Sequence, residues 1–149
     1  MIPHAETCYR TRMGVCQAYC ELFSYMAEAV GVTAEIIIGI TKDANGNVSQ
    51  EKHSWIFVYT HEYDGIFIDP TWGAGAVDGV KFVRNQDNST WFNVSPYWLI
   101  FSHFPDQPFW KKLDINISEE QFRQLPISNK GMNIGKEYLI ECLSRLPQS

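Results

Sequence analysis

The chain is short of the features that mark several large functional classes. Its 149 residues contain no apolar run near the ~18 residues that a membrane span requires, so no membrane partner is expected. Lys and Arg number 12 against 17 Asp and Glu, the net charge is −5, and the basic residues form no stripe. A nucleic-acid partner is therefore not expected. There is no C-x-x-C pair, so the four cysteines, at 8, 16, 20 and 142, do not read as a structural zinc site. In a chain of this length they read as mostly reduced, buried thiols. No D-x-D-x-D-G calcium loop is present. The N-terminal M-I-P-H-A-E-T-C lacks a basic segment followed by an apolar one, so no signal peptide is read, and a cytoplasmic location is favoured over a secreted, processed chain. What the chain has in abundance is rings. Aromatic residues make up 14% of it, enough to fill a core or line a cleft.

The pattern of elements predicts a single α+β domain over residues 1–149. Val15, Ala18, Tyr19, Leu22, Phe23, Met26 and Val30 follow helical spacing and predict a helix over 15–30 that buries this stripe. Gly31 is a natural C-terminal stop. Ala34 to Ile40 is β-branched and reads as a buried strand. D-A-N-G-N at 43–47 marks a turn. His53 to Thr60 alternates, with His53, Trp55, Phe57 and Tyr59 on one face. Asp64-Gly65 signals a reversal, and Ile66 to Asp69 returns as an antiparallel strand stopped by Pro70. Thr71 to Gly79 reads as a glycine-rich loop, and 110–117 as holding a short strand. Ser118 with Gln121 reads as a capping box at a helix start, and 135–146 as a short helix.

Cys16 falls in the first turn of the first helix. Unpaired N–H groups and the positive end of the helix dipole favour a thiolate there. A thiol nucleophile also needs a base, and His53, at the opening of a strand, is the best placed of the four histidines. His4 is in a terminal segment, His61 is near the turn, and His103 has no evident acid partner. Asp69 closes the next strand and can orient the imidazole. The register is open between two choices. A loop centred near Glu62 sets Asp69 opposite Trp55, one pleat from His53; a loop centred on Asp64-Gly65 separates them.

At these residues the sequence resembles the transglutaminase-like superfamily of papain-fold cysteine enzymes. G-V-C-Q-A-Y-C-E-L-F-S-Y-M resembles its nucleophile helix. H-S-W-I-F-V-Y-T-H-E-Y-D-G-I-F-I-D-P-T-W-G-A-G resembles its histidine strand, hairpin and aspartate strand. Y-W-L-I-F-S-H-F-P-D-Q-P-F-W-K-K-L-D-I-N-I-S-E-E-Q-F resembles the tail of the kyphoscoliosis peptidase-like branch. The resemblance implies a papain-like, transglutaminase-core fold with the nucleophile helix packed on an antiparallel sheet. It also implies Cys16 as nucleophile, His53 as base, Asp69 as orienter, no cofactor and no metal, and a protein or peptide substrate. Only 15 residues precede Cys16, fewer than the superfamily usually carries, so the domain reads as trimmed or minimal on that side.

The chemistry so implied is acyl transfer through a thioester. Water as acceptor gives a peptidase or amidase, the favoured reading; an amine gives a transglutaminase. A non-catalytic binding module and, more remotely, a metal site of Cys16, Cys20 and His53 are the competing readings. The Cys16 backbone N–H is the expected first oxyanion donor, with Tyr9, Arg10 and Arg12 as candidates for the second. Gln17 is expected to turn elsewhere. Cys20, Trp55, Trp72, Trp98, His103 and Trp110 are expected to serve packing.

Overall fold

The structure is a computed structural model, and it describes residues 15–61, 64–78, 81–84, 90–127 and 135–147. These residues are α+β. They fall into two compact units, Met1–Ile37 with His53–Val94, and Ile38–Lys52 with Ser95–Ser149.

The first unit opens with α1, Val15–Ala29. Its end is written in Gly31, whose φ of +80° is open to glycine at no steric cost. The Gly31 N–H donates to the Glu28 carbonyl and the Val32 N–H to the Ala27 carbonyl, at 3.0 and 2.9 Å, the paired bonds of a Schellman stop. The face that α1 buries differs from the expected one. Cys20 and Ala27 are buried and Cys16 and Phe23 half-buried. Leu22, Met26 and Val30 of the expected stripe are 45–76% exposed. Cys20 packs with Ile56, Val58 and Ile68. Small side chains on the sheet side let the helix backbone approach closely, and size rather than apolarity decides which face turns in.

Strand β1 spans Ala34–Thr41, with residues 34–37 in the first unit and 38–41 in the second. The first unit adds β2 (His53–Val58), β3 (Ile66–Ile68) and β6 (Phe92–Val94), in the order β6-β3-β2-β1. Every residue of β2 is buried, as a strand flanked on both edges requires. β2 and β3 pair antiparallel with Ile56 opposite Ile68, Phe57 opposite Phe67 and Val58 opposite Ile66. This is the register centred on position 62. It sets Asp69 level with Trp55, the first of the two arrangements left open by the sequence.

Between β3 and β6 the expected glycine-rich loop is replaced by a short helix, α2 (Pro70–Ala74), and a two-stranded ribbon of β4 (Gly75–Asp78) and β5 (Lys81–Arg84). Asp69 accounts for the helix. Its Oδ1 accepts the Trp72 N–H at 3.0 Å and its carbonyl accepts the Gly73 N–H at 2.9 Å, while Pro70 holds the first helical position. An aspartate cap followed by proline is a strong helix start, and it outweighs Gly73.

In the second unit residues 39–41 of β1 pair antiparallel with β7 (His103–Pro105). The turn at 43–47 forms as expected, with Asp43 Oδ1 accepting the N–H groups of Asn45 and Asn47. α3 (Pro96–Leu99) is capped by Ser95, and α4 (Glu119–Gln124) carries the Ser118–Gln121 capping box read from sequence. α5 (Lys136–Ser144) buries Leu139 and Cys142 against Ile100, Phe101, Ile117 and Leu125. The strand expected within 110–117 does not form. A 3₁₀ turn occupies Pro108–Lys111, and Lys112 at φ +54° breaks any extended continuation. Lys42 is buried, and its ammonium donates to the carbonyls of Phe122 and Leu125 at 2.6 and 2.9 Å, closing the C-terminus of α4. Burial pulls it down to about 8. Among the described residues no helix is long and apolar enough to cross a membrane.

Candidate active site

The first unit brings three sequence-predicted side chains together. Cys16 is the second residue of α1, His53 the first of β2, and Asp69 the residue that follows β3 and caps α2. The hairpin register does the positioning: with Ile68 opposite Ile56, Asp69 reaches the His53 end of the sheet. Its backbone is fixed there by donation from the Asp69 N–H to the Trp91 carbonyl at 2.9 Å.

Asp69 is 1% and His53 8% exposed. His53 Nε2 donates to Asp69 Oδ2 at 2.7 Å, so the carboxylate assigns the Nε2 proton. The other carboxylate oxygen accepts the Trp72 N–H, which leaves Asp69 held at both ends. With Nε2 committed, Nδ1 is the ring nitrogen left to meet the half-buried Cys16 thiol, to which His53 is hydrogen-bonded.

The electrostatics favour an ion pair. Burial raises the cost of a charged sulfur, but the His53 hydrogen bond and charge oppose it. The backbone N–H groups of Ser54 and Gln17 add to them, and the net effect lowers Cys16 below an ordinary thiol. Burial likewise disfavours a charged His53, but the Asp69 and Cys16 interactions outweigh it and push the ring up to about 9. Each partner thus stabilises the other's charge. Cys20, one turn along, behaves oppositely. It is fully buried, and burial followed by the nearby negative groups pushes its thiol far up. The two cysteines of one helix are divided by their surroundings: Cys16 lies in the first turn beside His53, and Cys20 is packed one turn further along.

Indoles enclose the imidazole. The Trp55 ring stacks at 6.1 Å and 22° from that of His53, as residues two apart on one strand face should. Trp72 lies at 5.5 Å and 36°, and it packs edge-on against Trp91 at 4.8 Å. Trp55 is 1% exposed, so packing is its role here, and shielding of the buried pair from water follows from the same contact. Beside Asp69 an apolar cavity of about 250 Å³ is walled by Phe23, Pro70, Ala74, Trp91 and Phe92, room for one large apolar side chain.

His61 is exposed at the bend after β2. His103 is buried in the second unit with Nδ1 on the Ser102 hydroxyl at 2.8 Å. Gln17 turns away from the sulfur, as its helical position predicts, to Ser54 and Glu21. His4, Cys8, Tyr9, Arg10 and Arg12, and with them the candidate second oxyanion donors, lie outside the described residues. Sequence reasoning missed Ser54, whose position beside His53 was the available signal.

Comparison with protein families finds that the model for the transglutaminase-like superfamily matches residues 2–96, a span that includes all three side chains. Comparison with curated proteins finds no match.

Proposed function

As the chain belongs to the transglutaminase-like superfamily, whose members are typically cysteine-dependent acyltransferases and peptidases, we propose that it is a cysteine peptidase or amidase working through Cys16, His53 and Asp69. The observation that carries this reading is the continuous relay from a carboxylate buried and held at both oxygens, through a ring pushed up to about 9, to a thiol lowered by that ring.

The steps follow from those groups. The Cys16 thiolate attacks a substrate carbonyl carbon, and the carbonyl electrons move onto oxygen. The Cys16 backbone N–H, in the first turn of α1, is the first donor proposed for that charge. The intermediate collapses as His53 gives its Nδ1 proton to the departing amine, leaving a thioester on Cys16. Neutral His53 then takes a proton from water, the resulting hydroxide displaces the sulfur, and acid and thiolate–imidazolium are regenerated. Asp69 holds the ring and its tautomer throughout. Water as the acceptor, rather than an amine, is supported by the likeness of 97–122 to the kyphoscoliosis peptidase-like tail, and a peptide substrate by the apolar cavity beside Asp69.

Incubation with denatured casein and a fluorescent primary amine separates the readings. New peptide termini without amine incorporation are expected, absent in Cys16→Ala. The rate should fall as pH rises through about 9, because His53 then lacks the proton the leaving amine needs. Amine incorporation in preference to cleavage would make the protein a transglutaminase. No Cys16-dependent product of either kind on a panel of peptide amides would make it a binding module.

A further inference from the structure

The two elements that carry Cys16 and His53 are joined by a polar contact that acid–base chemistry does not require. Ser54 follows His53 on β2, and by strand alternation its side chain projects to the opposite face, the one that α1 covers with Cys20 against Ile56 and Val58. There the Ser54 hydroxyl donates to Gln17 Oε1 at 2.8 Å. Gln17 Nε2 donates in turn to Glu21 Oε1 at 3.1 Å, one turn further along the same helix. Glu21 thereby fixes which end of the amide faces the strand: its carboxylate can only accept, so the NH₂ turns to it and the carbonyl oxygen to Ser54. Ser54 is itself buried, 5% exposed, so its hydroxyl needs this partner.

We propose that Gln17 and Ser54 form a clamp that sets the first turn of α1 against the start of β2 and so positions the Cys16 sulfur on the His53 ring. The proposal rests on the reading of Cys16 as nucleophile. The clamp sits one residue after each reacting group, Gln17 after Cys16 and Ser54 after His53. A shift of helix against strand therefore translates directly into the sulfur–imidazole separation. It also keeps the Ser54 N–H on the sulfur, where it joins the Gln17 N–H and His53 as donors to the thiolate. Apolar packing of Cys20 on Ile56 and Val58 holds the helix on the sheet but is non-directional; the hydroxyl–amide bond supplies the register along it. Neither side chain meets substrate in this account. They are positioning residues.

The test follows the rate of Cys16 alkylation by iodoacetamide across pH 4–9, with thermal melts alongside. Ser54→Ala and Gln17→Leu should each move the acid limb of the profile upward by about half to one pH unit, so that the rate at the wild-type midpoint falls roughly two- to fivefold. The double variant should be no worse than either single, because one bond is lost in all three. Ser54→Thr, which keeps the hydroxyl, should retain the wild-type limb even where its melt is lowered. A Ser54→Ala limb that coincides with wild type, or two shifts that add, overturns the clamp. If wild-type Cys16 shows no His53-dependent reactivity below pH 7, the catalytic reading falls and takes the clamp with it. If that reactivity is present and the variants match it, the clamp alone falls.

Discussion

Replacing Asp69 with asparagine is expected to leave the first unit folded and to cut turnover by about 10²–10⁴-fold. Asparagine is as good a helix cap as aspartate, so its Oδ1 keeps the Trp72 N–H and α2 stays in place. Its Nδ2 then replaces Oδ2 opposite His53 Nε2. Two donors cannot meet, so Nε2 must become an acceptor and the ring proton moves to Nδ1. In that tautomer the ring presents N–H to Cys16 and has no lone pair with which to take the thiol proton. Turning the amide over only moves the conflict, because Nδ2 would then face the Trp72 N–H. His53 should fall from about 9 back toward its ordinary value, and Cys16 should rise. A pH signature accompanies this. Because the folded His53 sits above its unfolded value, its stabilising contribution is complete below pH 6.5 and is lost as pH rises through about 9. Urea titrations at pH 6 and pH 9.5 should show that slope in wild type and a weaker one in Asp69→Asn. Full turnover in the variant, with an unchanged slope, would remove Asp69 from the site.

Gly65→Ala is expected to destabilise the first unit by about 3 kcal/mol or more. A Cβ added there would fall on the Phe57 ring edge and 2.5 Å from the Val58 carbonyl oxygen. The ring is pinned between Phe67 and Tyr59, at 5.0 and 5.3 Å, and the carbonyl is main chain, so no rotamer change relieves both. Relief requires the β2–β3 hairpin to open at its closed end, and that hairpin sets Asp69 level with Trp55. Stability and turnover should therefore fall together at every pH, unlike Asp69→Asn, whose loss of stability is confined to the pH range in which His53 is charged. An unfolding free energy in urea within about 0.5 kcal/mol of wild type would show that the backbone at Gly65 yields without cost.

Much of the site was readable because it depends on local rules. A cysteine after Gly14 at a helix start, a histidine opening an alternating strand and an aspartate before proline each declare a position relative to an element end. The capping box at Ser118 and the stop at Gly31 are legible for the same reason. The hairpin register was not, since Asp64-Gly65 signals a turn without fixing how many residues it closes. In the structure Asp64 takes a positive φ of 50° and Gly65 tucks against Val58, both at the end of a longer loop. The buried face of α1 was misread because large apolar residues outweigh Cys20 and Ala27 in any pattern count, while close packing selects the small ones. α2 was hidden by its glycine, and its capping aspartate was already assigned another role. Lys42 and Ser54 were passed over because their partners, the α4 carbonyls and the Gln17 amide, are 80 and 37 residues away in sequence.

The central claim is that His53 keeps the Cys16 sulfur ionised at a pH where ordinary thiols are not. Peptide-resolved mass spectrometry of iodoacetamide-treated protein at pH 6 tests it directly. Rapid modification of Cys16, none of the buried Cys20 and Cys142, and loss of the Cys16 signal in His53→Ala are predicted. Slow modification of wild-type Cys16, or a rate indifferent to His53, would contradict the account.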